Sequence, residues 1–128
     1  MEVIICRDAA EVAHVAADVF EEYVRGPRPT TFGLATGSTP VALYRELIRR
    51  HKEEDLSFAG ITVFLLDEYV GLPESHPESY HSFMARNLFD HIDCPKENIH
   101  ILNGNASDLA AECEHYEQMI AEAGGIDL

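Results

Sequence analysis

Residues 61–69 read Ile-Thr-Val-Phe-Leu-Leu-Asp-Glu-Tyr, an unbroken apolar run that ends in two adjacent carboxylates. Such a run is typical of a strand that is buried on both faces of a parallel sheet. Ligands of open parallel sheets bind outside the carboxyl ends of the strands, so Asp67 lies where a catalytic carboxylate would be placed. The alternative is that Asp67 caps the turn or helix that follows the strand.

Segments with strand character alternate with segments of helical periodicity along the chain. The predicted strands are 2–6, 30–35, 61–66 and 99–102, and the predicted helices are 9–24, 40–52, 78–89 and about 108–123. This alternation predicts an α/β fold with three layers, a Rossmann-like, largely parallel sheet with helices on both faces. Residues 126–128 (Ile-Asp-Leu) resemble the start of a further strand, which would make residues 1–128 the N-terminal part of a single domain, truncated after its fourth β/α unit. The alternative is a frayed tail.

The composition limits the classes of partner and compartment. A formal net charge of −14 repels phosphates, so we expect neither nucleic acid nor an anionic membrane as a partner. The sequence contains no run of eighteen apolar residues, so we predict no transmembrane helix, and the N-terminus lacks a basic leader. Three scattered cysteines without C-x-x-C spacing argue against a disulfide or zinc framework. We therefore predict a cytoplasmic protein without a metal site.

A loop of small residues, Gly-Leu-Ala-Thr-Gly-Ser-Thr-Pro at 33–40, joins the second predicted strand to a helix. Hydroxyls and free N–H groups at a helix N-terminus suit a phosphate, and the candidate ligands are Thr36, Gly37, Ser38 and Thr39. The loop lacks the P-loop lysine and is not a dinucleotide-binding G-x-G-x-x-G motif. The alternative is an ordinary turn in which Ser38 or Thr39 caps a helix that begins at Pro40.

The carboxylates after the third predicted strand suit proton transfer. Asp67 could abstract a proton from a carbon next to a carbonyl, provided that partial desolvation raises its basicity. For Glu68 we expect a structural hydrogen bond or ion pair that supports the site rather than a second acid. Most of the seven histidines are expected at the surface, although His76 and His81 flank the loop that follows Asp67.

The two loops together resemble the glucosamine-6-phosphate deaminase family. The string Leu-Ala-Thr-Gly-Ser-Thr-Pro at 34–40 is similar to that family's phosphosugar loop. The string Leu-Asp-Glu-Tyr-Val-Gly-Leu-Pro-Glu-Ser-His-Pro-Glu-Ser-Tyr at 66–80 is similar to its most diagnostic segment, and Leu-Asn-Gly-Asn at 102–105 matches a later connection. The related 6-phosphogluconolactonases share the fold but usually carry Asp-Glu-Arg where this chain has Asp67-Glu68-Tyr69. The resemblance therefore favours the deaminase.

The resemblance implies conversion of glucosamine 6-phosphate to fructose 6-phosphate and ammonia, without a cofactor. It implies that Asp67 is the general base, that Thr36, Gly37, Ser38 and Thr39 hold the phosphate, and that the protein is a homo-oligomer. It also implies a ring-opening histidine in a Gly-His…Asn-Glu-Pro motif and a phosphate-binding lysine, and neither motif occurs in these 128 residues. We therefore predict that residues 1–128 alone are nearly inactive. The alternatives are a 6-phosphogluconolactonase and a non-catalytic phosphosugar-binding module.

Overall fold

A three-stranded parallel sheet forms the centre of the protein. The computed structural model describes residues 3–128. The strands are β1 (Thr30–Leu34), β2 (Ile61–Leu65) and β3 (Ile99–His100), in the spatial order β1-β2-β3. Leu34 pairs with Leu65 across the first ladder, and both β1 and β2 are almost fully buried. Residues 61–65 of the predicted strand 61–66 therefore form the central strand of a parallel sheet, and Leu66 lies exposed just beyond it.

The predicted helices are all present, with small differences at their ends. They are α1 (Ala9–Val24), α2 (Val41–Glu53), α3 (Tyr80–Asn87) and α4 (Leu109–Glu122). Asp8, Ser79 and Asp108 cap α1, α3 and α4 by accepting a hydrogen bond from a backbone N–H three residues later. Among residues 3–128, no helix is both long enough and apolar enough to cross a membrane.

The helices cover both faces of the sheet. Phe32 and Val63 point to the face that α1, α2 and α3 cover, and they join Tyr44, Leu47 and Met84 in one core. Phe64 points to the opposite face, where its ring meets Tyr116 of α4 at a centroid distance of 5.5 Å. The predicted three-layer α/β arrangement is confirmed.

Residues 126–128 lie beside β1, on the side away from β2, and hydrogen-bond to it without forming a strand. The Asp127 N–H donates to the Thr31 carbonyl (2.8 Å), and the Gly33 N–H donates to a carbonyl oxygen of Leu128 (2.9 Å). Strands β1, β2 and β3 thus follow one another in one direction across the sheet. The chain then crosses back over the opposite face through α4 and reaches the far side of β1 at residues 126–128. A connection that reverses direction in a parallel sheet passes over the other face, because such crossovers are right-handed.

The strand predicted at 2–6 is wrong for the described residues 3–6. Val3, Ile4 and Ile5 are exposed and belong to no strand. Residue 2 lies outside the described residues. Residues 126–128 occupy one edge of the sheet, and β3 at the other edge has only two residues. Within residues 3–128, no backbone hydrogen bond joins this apolar segment to either edge.

Arg50 joins α1 to α2 through a buried ionic network. Its side chain is 4% exposed and donates to Glu46 (2.9 Å), Glu21 (2.8 Å) and Asp18 (2.7 Å). The hydrogen bond from Arg49 (2.8 Å), reinforced by that from Arg50, outweighs burial and depresses the pKa of Glu46 to about 2. The network joins α1 to the C-terminal half of α2.

Candidate functional site

The glycine-containing loop and the Asp67 loop leave neighbouring strands at the same edge of the sheet. Leu34 and Leu65 are paired in register, and the Leu66 N–H donates to the Leu34 carbonyl at 3.3 Å. Adjacent strands lie about 4.8 Å apart, so Thr36 and Asp67 begin their loops side by side. The reversal of strand order falls between β1 and residues 126–128, and ligands of doubly wound sheets bind at such a switch point.

The loop at 36–39 leads into a helix start without a side-chain cap. Pro40 is the N-cap of α2, has helical dihedral angles, and has no side-chain capping hydrogen bond. The prediction that Ser38 or Thr39 caps the helix is therefore wrong. The first hydrogen bond of α2 runs from the Tyr44 N–H to the Pro40 carbonyl (2.9 Å), so the helix begins one residue later than a cap at Thr39 would place it. The Ser38 and Thr39 hydroxyls are not committed to capping, and the first-turn N–H groups of α2 point to the same region.

Backbone geometry shapes this loop. Gly37 has a φ of +93°, a conformation that a residue with a Cβ adopts only with strain. The Tyr44 hydroxyl of α2 donates to the Ala35 carbonyl, directly before the loop. Burial raises the pKa of Tyr44, which keeps this hydroxyl protonated as a donor. The loop thus turns sharply and is fixed at its first residue.

Asp67 is exposed at the end of β2. No α-helix begins directly after it, since α3 starts at Tyr80, and Asp67 accepts no hydrogen bond within residues 3–128. The structure therefore does not show Asp67 in a capping role. The strand end before it is held by Tyr116, whose hydroxyl lies 2.8 Å from the Leu65 carbonyl oxygen and 2.9 Å from that of His100.

Glu68 behaves differently from its neighbour. Its side chain is 2% exposed, and its carboxylate accepts hydrogen bonds from the N–H groups of Tyr69 (2.7 Å), Tyr80 (3.0 Å) and His81 (3.0 Å). The His81 ring nitrogen Nδ1 lies 2.7 Å from the same carboxylate. Burial raises the pKa of Glu68, but the hydrogen bonds from Tyr80, His81 and Tyr69 outweigh this and lower it below its ordinary value. Glu68 is thus an ionised anchor that fastens the Asp67 loop to the N-terminus of α3.

The two histidines near the loop have structural partners. His81 lies between Glu68 and Glu74, with its Nε2 atom 3.6 Å from a Glu74 oxygen. The ring of His76 accepts a hydrogen bond from the Glu78 N–H at 3.1 Å. No group of three or more histidine, cysteine or acidic residues within residues 3–128 is arranged to hold a metal ion.

The sequence did not reveal the buried tyrosine hydroxyls that fix both strand ends. Tyr44 and Tyr116 occupy inward positions of α2 and α4, where any large apolar residue would satisfy the helical pattern. The available signal is the choice of tyrosine at a buried helix position, because a buried hydroxyl needs a partner.

Comparison with known proteins shows the same relationship along the whole described chain. Residues 7–128 match the family model of glucosamine-6-phosphate isomerases/6-phosphogluconolactonase. A glucosamine-6-phosphate deaminase of Porphyromonas gingivalis is 53% identical, and one of Phocaeicola vulgatus is 50% identical; each match covers 100% of this chain and 51% of the relative. The chain thus spans about half the length of the curated relatives it matches.

Solved structures agree with the sequence matches. A monomeric glucosamine-6-phosphate deaminase superposes with a TM-score of 0.96 at 43% identity, over 99% of this chain and 53% of that one. A 6-phosphogluconolactonase of Thermotoga maritima has the same fold, with a TM-score of 0.74 at 21% identity over 95% of this chain and 53% of that one. The chain belongs to the family of glucosamine-6-phosphate isomerases and 6-phosphogluconolactonases.

Proposed function

We propose that the natural-length gene product containing these residues converts glucosamine 6-phosphate to fructose 6-phosphate and ammonia. The observation that carries this proposal is the placement of the 36–39 loop and Asp67 side by side at the carboxyl ends of the paired strands β1 and β2. The matched relatives from Porphyromonas gingivalis and Phocaeicola vulgatus, at 50–53% identity, are named for this activity.

In this proposal Asp67 is the general base. It removes the C2 proton of the ring-opened sugar, and the electrons of that C–H bond form a C1–C2 double bond as the C1 carbonyl oxygen takes a proton from water and becomes a hydroxyl. A proton returned to C1 leaves an iminium group at C2. Water adds at C2 and ammonia leaves, which gives the ketose. A positioned base of this kind contributes about 10²–10⁴-fold to the rate.

Thr36, Gly37, Ser38 and Thr39 hold the substrate phosphate. The uncapped N-terminus of α2 supports this role, because unsatisfied N–H groups and the helix dipole attract an anion. Local attraction of this kind is needed in a protein with a net charge of −14. Glu68 supports the site through the loop that it anchors to α3.

Residues 1–128 form the N-terminal part of a single phosphosugar isomerase/deaminase domain. The match to 51% of each relative's length supports this assignment. We also propose that the gene product is a cytoplasmic homo-oligomer. Three free cysteines support a reducing compartment. Size measurement of the gene product would test the oligomer, and a strict monomer would contradict it.

The deciding experiment is ammonia release from glucosamine 6-phosphate by the natural-length gene product and its Asp67→Asn variant. We expect turnover to fall by about 10³-fold while calorimetry still detects sugar binding, because asparagine keeps the shape but cannot accept the proton. Asp55→Asn is the matched control, since Asp55 is exposed in the turn before β2 and thus at the opposite end of that strand. Unchanged turnover in Asp67→Asn would rule out Asp67 as the base, and 6-phosphogluconolactone hydrolysis without ammonia release would favour the lactonase.

A further inference from the structure

The loop that follows β3 contacts the Asp67 loop directly. The Gly71 N–H donates to the Gly104 carbonyl at 2.9 Å. The side-chain amide of Asn105 donates to the Leu72 carbonyl at 2.8 Å. These two hydrogen bonds fasten residues 71 and 72, a few residues beyond Asp67, to a neighbouring strand's loop.

Gly104 allows an unusually close approach between the two loops. It is buried, and a Cβ atom at this position would lie 1.9 Å from the Tyr69 carbonyl oxygen and 2.8 Å from its carbonyl carbon. Both distances are below the closest contacts that a Cβ atom makes. Any side chain at 104 would therefore push away the peptide between Tyr69 and Val70, and β2 ends only four residues before Tyr69.

The turn at 103–105 is itself fixed to α4. The Asn103 N–H donates to a Glu112 carboxylate oxygen at 2.9 Å. Within the turn, the Asn105 N–H donates to the Asn103 side-chain oxygen at 2.9 Å, and the Ala106 N–H donates to the Asn103 carbonyl at 3.1 Å. The contact to residues 69–72 is thus made by a rigid turn that is supported by a helix on the far side of the sheet.

We propose that Gly104 and Asn105 are positioning residues that act on Asp67 through the segment 69–72. Glu68 holds the Asp67 loop on the side of α3, and Gly104 with Asn105 holds it on the side of β3. These contacts fix the backbone of the loop from which the Asp67 side chain projects. This inference rests on the proposed function of Asp67 as the base.

The expected consequence is a loss of turnover without a loss of substrate affinity. A displacement of about 1 Å between reacting groups can cost about 10²-fold in rate. We therefore expect Gly104→Ala to lower kcat by about 100-fold and Asn105→Ala by about 10-fold. The KM should change by less than about 3-fold, because the phosphate loop at 36–39 follows a different strand and makes none of these contacts.

The test combines steady-state kinetics with amide hydrogen exchange on the natural-length gene product. Gly60→Ala is the matched control for Gly104→Ala, because a Cβ at Gly60 meets nothing within 4 Å. Asn87→Ala is the control for Asn105→Ala, because the Asn87 amide also donates to a backbone carbonyl, that of Phe83 in α3. Asn105→Ala removes a single hydrogen bond and keeps the test valid if Gly104→Ala does not fold.

We expect faster exchange at residues 69–72 and a lower kcat in both test variants, with both controls matching wild type. An active wild type whose two variants show normal exchange or normal kcat would overturn the positioning role and leave the proposed function standing. A wild-type protein that binds the sugar but releases no ammonia would overturn the proposed function and the positioning role together.

Discussion

Replacing Glu68 with glutamine should destabilise the protein far more than the size of the change suggests. One carboxylate oxygen accepts from the Tyr69 and Tyr80 N–H groups, and the other accepts from the His81 N–H and lies 2.7 Å from His81 Nδ1. Glutamine keeps one acceptor oxygen. Its NH₂ group, placed where the second oxygen was, would face two donors in a site that is 2% exposed.

The magnitude follows from the number of bonds lost. A hydrogen bond to a charged group contributes about 1.5–3 kcal/mol, and two such bonds lose their acceptor. We take the lower value for each, because the loop can relax toward water, and expect a loss of about 3 kcal/mol in the free energy of unfolding. Each 1 kcal/mol lost lowers Tm by about 2–4 °C in a protein of 150–250 residues, so Tm should fall by about 10 °C.

The pH dependence of the stability gives a second, independent test of the role of Glu68. Burial raises the pKa of Glu68, but its hydrogen bonds lower it below the ordinary value. A carboxylate with a depressed pKa contributes stability above its unfolded-state pKa, and that contribution is lost as the pH falls through its folded-state pKa. The deficit of Glu68→Gln relative to wild type should therefore be full at pH 7 and shrink below about pH 4.

Thermal unfolding of the natural-length gene product at several pH values measures both effects. Glu78→Gln is the matched control, because Glu78 is an exposed carboxylate in the same loop. A Glu68→Gln variant that unfolds within about 2 °C of Glu78→Gln at pH 7 would refute the anchor. A deficit that stays constant from pH 7 to pH 3.5 would show that the lost stability does not come from the ionised carboxylate.

Two further predictions follow from buried groups elsewhere in the chain. Arg50→Lys should lower the free energy of unfolding by about 3 kcal/mol in urea titrations, because one ammonium cannot bridge Glu46, Glu21 and Asp18. The exposed control Arg45→Lys should have little effect, and equal stability of the two variants would contradict the role of the network. Burial, with the charges of Asp93 and Glu97, raises the pKa of Cys94 to about 11. Alkylation at pH 8, followed by mass spectrometry, should therefore be at least about 100-fold slower at Cys94 than at the exposed Cys113. Similar rates at the two cysteines would contradict the buried position of Cys94.

Much of the fold could be predicted because its signals are local. The unbroken apolar run at 61–66 indicates a strand buried on both faces, and Asp8 and Asp108 mark helix starts by their capping chemistry. The apolar residues 3–6 carry a similar strand signal but pair with nothing in the described chain. Strand propensity therefore indicates which segments can pair, whereas pairing itself depends on contacts with the rest of the fold.

The site residues could be predicted from spacing and resemblance, whereas the contacts that hold them in place could not. Asp67 and the 36–39 loop could be placed at the same sheet edge because parallel strands end together. The Gly104 contact with Tyr69 joins residues 35 positions apart in the sequence, and no local pattern distinguishes a glycine needed for close approach from one needed for a turn. The tyrosine hydroxyls of α2 and α4 were missed for the same reason, since their carbonyl partners belong to other elements.

The adjacent carboxylates Asp67 and Glu68 each meet one of two requirements that a single carboxylate could not meet together. A base that removes a proton from carbon needs a free lone pair, whereas an anchor needs every lone pair engaged. Glu68 has its oxygens committed to α3 and is 2% exposed, while Asp67 is exposed and accepts no hydrogen bond within residues 3–128. If Asp67 is the base, the bound sugar must exclude water from its carboxylate. The anchor then has a direct function, because it holds the loop that carries Asp67 while Asp67 itself stays free to accept the proton.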